Sequence, residues 1–197
     1  MSGKFFAPKR IIKLRREFSL PGYKNLEDVK LDGDYVTPLQ IAAHSKTGPC
    51  LVAYNWIDAP TAIKHRDFLA EYGYLPDIAF NKVLELAFKQ INIRREDTYM
   101  TQAFHLLPSN KRSSYISRRD LRESFNKITL HEIRGRKVVA LGNDADYACK
   151  PYEDQYLNYV KTIHPSSRIG SHEKKLPSSP KPFKKLFKNF ALHKKMR

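Results

Sequence analysis

The sequence predicts an α/β fold, a doubly wound and mainly parallel four-stranded sheet flanked by helices. Three observations predict it. Short apolar runs rich in β-formers recur along the 197 residues. Amphipathic stretches of helical period lie between them, and the spacings are long enough for crossover connections.

After a basic lead-in, Pro21-Gly22 and Asp32-Gly33-Asp34 mark a loop-rich stretch. Thr37-Pro38 opens a short helix over 38–43, with Thr37 as cap and proline at its first position. Cys50 to Trp56 follows Gly48-Pro49 and reads as a buried strand. Pro76 to Gln90 reads as a helix with Ile78, Val83, Leu84, Ala87 and Phe88 on one apolar face. Thr98 to Phe104 is a second strand. Ser117 and Asp120 form a capping-box variant ahead of a helix running to about Ile133. Lys137 to Leu141 is a third strand closed by Gly142, Asn143 caps a short helix to Cys149, and Leu157 to Ile163 supplies the fourth strand. In such sheets ligands bind beyond the carboxyl ends of the strands. That directs attention to Asn55 and Trp56, Gln102 to His105, Gly142 and Asn143, and His164 to Arg168.

A hydrophobic share of 41% is enough for a core at this length, and no run approaches the roughly 20 apolar residues of a membrane span. The net charge is +16. Lys4, Lys9, Arg10, Lys13, Arg15 and Arg16 give the first sixteen residues +6, and nine Lys/Arg against Glu173 alone give residues 172–197 +8. The ends therefore carry the field, which suits basic arms on a polyanion, Lys174 and Lys175 among them; solubilising tails are the alternative. The chain divides into a basic extension over 1–35, an α/β domain over 36–171 and a Pro/Ser linker with a basic amphipathic tail over 172–197. Phe183, Leu186, Phe187 and Phe190 fall at helical spacing among lysines in that tail, which suits a protein or an anionic surface as partner. Cys50 and Cys149 stand far apart with no metal-ligand spacing, so reduced, buried thiols and an intracellular location (cytoplasm, nucleoid or nucleus) are expected. The acid-free first sixteen residues leave organellar import open.

The compact donor cluster His164-Pro165-Ser166-Ser167-Arg168 suits an anion. Together with GPCLVAYNW, RDFLAEYG, TYMTQAFHLLPSNK and VVALGNDA, in that order over roughly residues 48–170, it resembles the uracil-DNA glycosylase superfamily. The motif order is like the small bacterial and archaeal members, and the HPSxR loop is like the single-strand-selective monofunctional ones. The resemblance implies a monofunctional DNA N-glycosylase that flips a uracil or another modified base out of DNA and hydrolyses its N-glycosidic bond. Carried over position by position, Asn55 orients the attacking water and His164 donates to the departing base. Phe68 stacks on the base and Gln102 reads its edge. Ser166, Ser167 and Arg168 hold phosphates and wedge the duplex.

Ala53 and Trp56-Ile57 stand where the family carries glycine and proline, which puts Trp56 in the pocket wall. Gln102 replaces an asparagine, and the cysteines of an iron–sulfur cluster are missing, so no cofactor or metal is implied. The residues alone leave other readings open. Asn55 suits a turn cap, and Asp58 suits a solvated turn acid while being a second candidate for placing the water. Phe68 and Trp56 suit a core, Gln102 suits a buried backbone partner, and His105 suits the surface. Tyr99, Tyr115, Tyr152, Tyr156 and Tyr159 suit stacking on unpaired bases, and Arg118, Arg119 and Arg122 suit either phosphate contact or a solvated face. A catalytically inactive DNA-binding scaffold of the same fold is the main alternative function, and a structural RNA-binding protein a more distant one. A monomer is expected.

Overall fold

Cys50 to Val52 and Val138 to Leu141 read as unbroken apolar runs because both faces of the strands they form are covered. The computed structural model describes residues 9–110 and 116–166. In chain order these form α1 (Lys9–Glu17), β1 (Tyr23–Lys24), a 3₁₀ turn at Pro38–Ile41, β2 (Cys50–Asn55), α2 (Ala59–Lys64), α3 (Arg66–Tyr72) and α4 (Ala79–Gln90). Then come β3 (Tyr99–Phe104), β4 (Leu107–Pro108), α5 (Arg118–Ser124), a π-helical turn at Phe125–Thr129, α6 (Leu130–Ile133), β5 (Lys137–Leu141), α7 (Asn143–Cys149) and β6 (Asn158–Thr162). The main sheet runs β3-β2-β5-β6 with every neighbouring pair parallel, while β1 and β4 make a small antiparallel pair. No described helix is long and apolar enough to cross a membrane.

The order of the strands fixes where a ligand can sit. The chain steps from β2 to β3 on one side, then returns past β2 to β5 and β6 on the other. Right-handed crossovers therefore put α4 on one face and α5 to α7 on the opposite one. Leu84 and Phe88 of α4 pack with Leu51, Met100, Val139 and Leu141. On the other face Phe125, Ile128, Ile133, Ala145 and Ala148 pack with Cys50, Val52, Val138 and Ala140. The winding reverses between β2 and β5, and the crevice at that reversal opens beyond Asn55 and Leu141.

Residues 9–35, expected as an extension, are built into the domain. Ile11, Ile12 and Phe18 join the core under α5 and α6, and Leu26, Val29 and Leu31 join a second cluster with Leu69 and Leu107. Arg15 is only 2% exposed. It pairs with Asp32 and donates to the carbonyls of Gly33 and Tyr35 at 3.1 and 3.0 Å, so part of the basic lead-in is spent inside the fold rather than on a partner. Burial would raise the Asp32 carboxyl, but the Arg15 and Arg16 guanidiniums beside it hold it below the usual carboxylate range.

Element ends follow the sequence with some corrections. Ser117 Oγ accepts from the Asp120 N–H at 3.0 Å, as its capping pattern requires. Thr37 does not cap its turn; its hydroxyl donates to Gln102 Oε1 at 3.2 Å. Asn143 is the first residue of α7 rather than its cap, because Gly142 with φ +96° makes the turn out of β5. Ile78 precedes α4 and is 36% exposed instead of sitting on its buried face. Cys50 and Cys149 are both buried free thiols.

The β3 edge is closed by polar groups. Glu132 of α6 accepts from Tyr99 Oη at 2.6 Å, Thr101 Oγ1 at 2.6 Å and Gln40 Nε2 at 2.5 Å. The Val36 N–H donates to Gln40 Oε1, which fixes the amide so that its nitrogen faces the carboxylate. Burial pushes the Glu132 carboxyl up to about 7 even against these three donors.

Candidate active site

A cavity of about 190 Å³ opens at the carboxyl end of β2, on the α4 side of the sheet. β2 supplies Ala53 and Asn55, and the loop after it supplies Trp56 and Ile57. Phe80 and Asn81 enter from the first turn of α4, and His164 and Ser166 from the loop after β6. Apart from Ala53, which lies within β2, each stands at or just past a strand end or at a helix start, where side chains face the crevice.

Two glycines let these pieces close on one another. At Gly73 (φ +75°), a Cβ would meet the Pro38 carbonyl oxygen at 2.0 Å. The end of α3 therefore abuts the 3₁₀ turn, and the Gly73 carbonyl accepts from Trp56 Nε1 at 3.1 Å, which fixes the indole as cavity wall. Gly142 stands in the same relation to His164, a Cβ there falling 2.7 Å from the histidine Cβ.

The histidine's tautomer follows from its neighbour. The Ser166 N–H donates to His164 Nδ1 at 3.1 Å, so Nδ1 carries no proton and Nε2 is the N–H of the neutral ring. The Phe80 ring lies 5.4 Å from the imidazole at an interplanar angle of 49°. Asn81 is 2% exposed and held from two sides. Its Nδ2 donates to the Leu75 carbonyl at 2.7 Å, and its Oδ1 accepts from Arg95 Nη2 at 3.1 Å. Arg95 is in turn paired with Glu85 at 2.7 Å and lies over the Tyr74 ring at 3.9 Å. The site thus gathers one neutral N–H donor, two amides and a flat aromatic wall in a largely apolar recess. Such a set can hold a planar heterocycle and hydrogen-bond its edge.

Of the residues singled out in the sequence, Asn55, Trp56, His164 and Ser166 line this cavity. Ser167, Arg168, Lys174 and Lys175 lie outside the described residues, as do Tyr115 and the 183–197 tail. The structure does not bring Phe68 to the cavity. Phe68 is 41% exposed on the outer face of α3, its ring 4.6 Å from Tyr72. Gln102 is 1% exposed beside Ala53 in the sheet, with its Oε1 engaged by Thr37, and it does not line the cavity. Asp58 caps α2 through the Thr61 N–H at 2.8 Å.

His105 is buried, not on the surface. Thr129 gives its hydroxyl proton to the Gln102 carbonyl at 2.7 Å, so it can only accept from His105 Nε2 at 2.9 Å. Burial first, and the Arg15 charge second, lower His105 to about 3. Tyr99 and Tyr156 are buried, Tyr152 stacks on Phe125, and Tyr159 donates to Asp146, so none of these four stands free for a base.

Phe80, Asn81 and Arg95 were missed from sequence. A signal was present: Asn81 shares one helical face with Leu84 and Phe88, so a polar amide sits where the pattern calls for a core residue.

With this geometry in hand, a family comparison is specific. The family model described as Uracil DNA glycosylase superfamily matches residues 65–191. The matched span takes in Phe80, Asn81 and His164 and begins after Asn55 and Trp56. No curated protein matches the chain.

Proposed function

From the premise that the chain belongs to the uracil DNA glycosylase superfamily, we propose that it hydrolyses the N-glycosidic bond of a flipped, modified base in DNA. The observation that carries this reading is the Ser166 N–H on His164 Nδ1, which leaves a neutral Nε2–H beside the cavity as donor. As the C1′–N bond breaks, the electron pair goes to the base, and the hydrogen bond from Nε2 stabilises the charge gathering on a base oxygen. Water adds to C1′ of the oxocarbenium-like sugar, and its released proton balances the departing base. Asn55, an amide rather than a base, holds that water in position, which suffices for so electrophilic a carbon.

Phe80 takes the stacking role that the resemblance assigned to Phe68, and Asn81 the edge-reading role assigned to Gln102. Support for both comes from the cavity: the first pair lines it and the second does not. Ser166, Ser167 and Arg168 hold flanking phosphates, and the basic 172–197 segment adds non-specific affinity. Among the described residues no Lys lines the cavity to form a Schiff base, which suits a monofunctional reaction.

The test is alkali-revealed strand scission on oligonucleotides carrying uracil, hypoxanthine, hydroxymethyluracil or bulkier bases, with wild type, Asn55→Ala and His164→Ala side by side. Scission at one base, lost in both variants, establishes the activity and its substrate. Tight DNA binding with no scission at any base would favour the second reading, a binding module of the same fold. That reading is motivated by Trp56 and Ile57 standing in the cavity wall.

A further inference from the structure

Arg118 and Arg122 lie four residues apart on the exposed face of α5, and both guanidiniums sit over one ring. Their carbons are 4.6 and 4.7 Å from the Tyr147 centroid. Two like charges at this spacing repel, so the arrangement is unfavourable unless something negative joins it. Among the described residues nothing does: neither arginine makes an ion pair or a hydrogen bond there. By contrast, Arg15, Arg16, Arg66, Arg94 and Arg95 are each paired with a carboxylate. The nearby acids Asp120 and Asp146 are engaged elsewhere, Asp120 by Tyr23 Oη at 3.1 Å and Asp146 by Tyr159 Oη at 2.6 Å and Lys161. Glu123 and Asp144, on the same two helices, are exposed and form no ion pair with either arginine.

The pair also stands at the right end of the sheet. Tyr54, next to Asn55, donates its hydroxyl to the Ile116 carbonyl at 3.4 Å, two residues before Arg118. Tyr147 is one turn into α7, which starts directly after the Gly142 that abuts His164. The arginines therefore flank the crevice on the face opposite α4. A guanidinium that lies over a tyrosine ring keeps its N–H donors for a partner of opposite charge, and their fork matches two phosphate oxygens.

We propose that Arg118 and Arg122, held together on Tyr147, seat a backbone phosphate of the DNA strand that crosses the crevice. The assignment rests on the proposed glycosylase reading for its ligand, a phosphodiester of DNA, and on the unpaired charges for its place.

The test is fluorescence anisotropy of the full chain on labelled single-stranded and duplex DNA without a modified base, as a function of salt. Arg118→Gln/Arg122→Gln should bind roughly ten-fold more weakly at about 0.1 M salt. Its plot of log affinity against log salt should be flatter by about 0.7 to 0.9, the contribution of one phosphate contact. Lys13→Gln/Lys89→Gln, which removes the same charge from α1 and α4, should leave the slope within about 0.3 of wild type. Tyr147→Phe keeps the ring and should bind as wild type, whereas Tyr147→Ala should lose part of the affinity. Equal loss in the two double variants, or no loss in the arginine variant, would overturn the proposal. Because the readout is binding, it separates from the glycosylase reading. Scission with no arginine effect sinks only the phosphate seat; the arginine effect with no scission at any base sinks only the glycosylase.

Discussion

A Cβ on Gly142 would stand 2.7 Å from the Cβ of His164 and 3.1 Å from its Cδ2, so the turn leaving β5 and the loop leaving β6 are in direct contact. Only glycine leaves the imidazole its place, and φ +96° with ψ 179° is a conformation that other residues avoid. Gly142→Ala should destabilise the fold by about 1 to 3 kcal/mol, on the scale of such backbone strain. It should also lower base excision by at least about ten-fold through displacement of the Nε2 donor. Urea unfolding and single-turnover excision measure the two effects. Unchanged excision at full stability would mean that the loop moves freely and His164 is not positioned by this contact.

The two phenylalanines make a sharper comparison. Phe80 lines the cavity beside His164, while Phe68 pairs with Tyr72 on an exposed face. Phe80→Ala should cut excision by about five- to 150-fold, the loss of base stacking of about 1 to 3 kcal/mol. Phe68→Ala should leave excision within about two-fold and shift stability by no more than about 1 kcal/mol. The reverse outcome would restore the role that the resemblance gave to Phe68.

That contrast shows what was legible in the sequence. β2 and β5 were legible because a parallel strand covered on both faces needs an unbroken apolar run, and the edge strands β3 and β6 by their β-forming residues; all four lie within the segments so read. Asn55, Trp56 and His164 were legible because they stand at or just past the carboxyl ends of strands. Phe68 and Gln102 were expected at the site and lie away from the cavity, since a motif's order does not say which way a side chain points. Gln102 lies inside β3, where alternation and the Thr37 hydroxyl claim its amide. Asn81 and Arg95 act through side-chain bonds across fourteen residues, which no local pattern records. Residues 9–35 looked like an arm because their charge was counted while Asp32, the partner of Arg15, was assigned to a turn.

Two buried groups give opposing pH dependences. Glu132 titrates near 4.5 when unfolded and about 7 when folded, so the native state holds its proton more tightly. That stability is fully present below pH 4.5 and lost as the pH rises through 7. His105 is lowered from 6.5 to about 3, so its contribution is present above pH 6.5 and lost as the pH falls towards 3. Between 4.5 and 6.5 the two slopes oppose. Glu132→Gln should expose the histidine slope, making the protein weaken from pH 8 to pH 5. His105→Gln should expose the glutamate slope, with a gain of about 3 kcal/mol over the same interval at about 1.4 kcal/mol per pKa unit. Urea unfolding at pH 5, 6 and 8 decides it; parallel profiles for all three proteins would refute both assignments.

If residues from Lys9 onward belong to the core, truncating them must cost stability before it costs DNA affinity. Ile11 and Ile12 are each 5% exposed and pack in the cluster that contains Phe125 and Ile128. Either isoleucine to alanine should destabilise by about 2 to 5 kcal/mol, the cost of a buried large-to-small change. Arg15→Ala should cost about 3 kcal/mol or more, because it strips Asp32 of its buried partner and leaves the Tyr35 carbonyl without its donor, Gly33 keeping Arg16. The exposed Lys13→Ala, on the same helix, should shift stability by no more than about 0.5 kcal/mol. Denaturant midpoints of the four variants separate the cases. Four values near wild type would show α1 to be a detachable arm, and its charge would then be available to a polyanion after all.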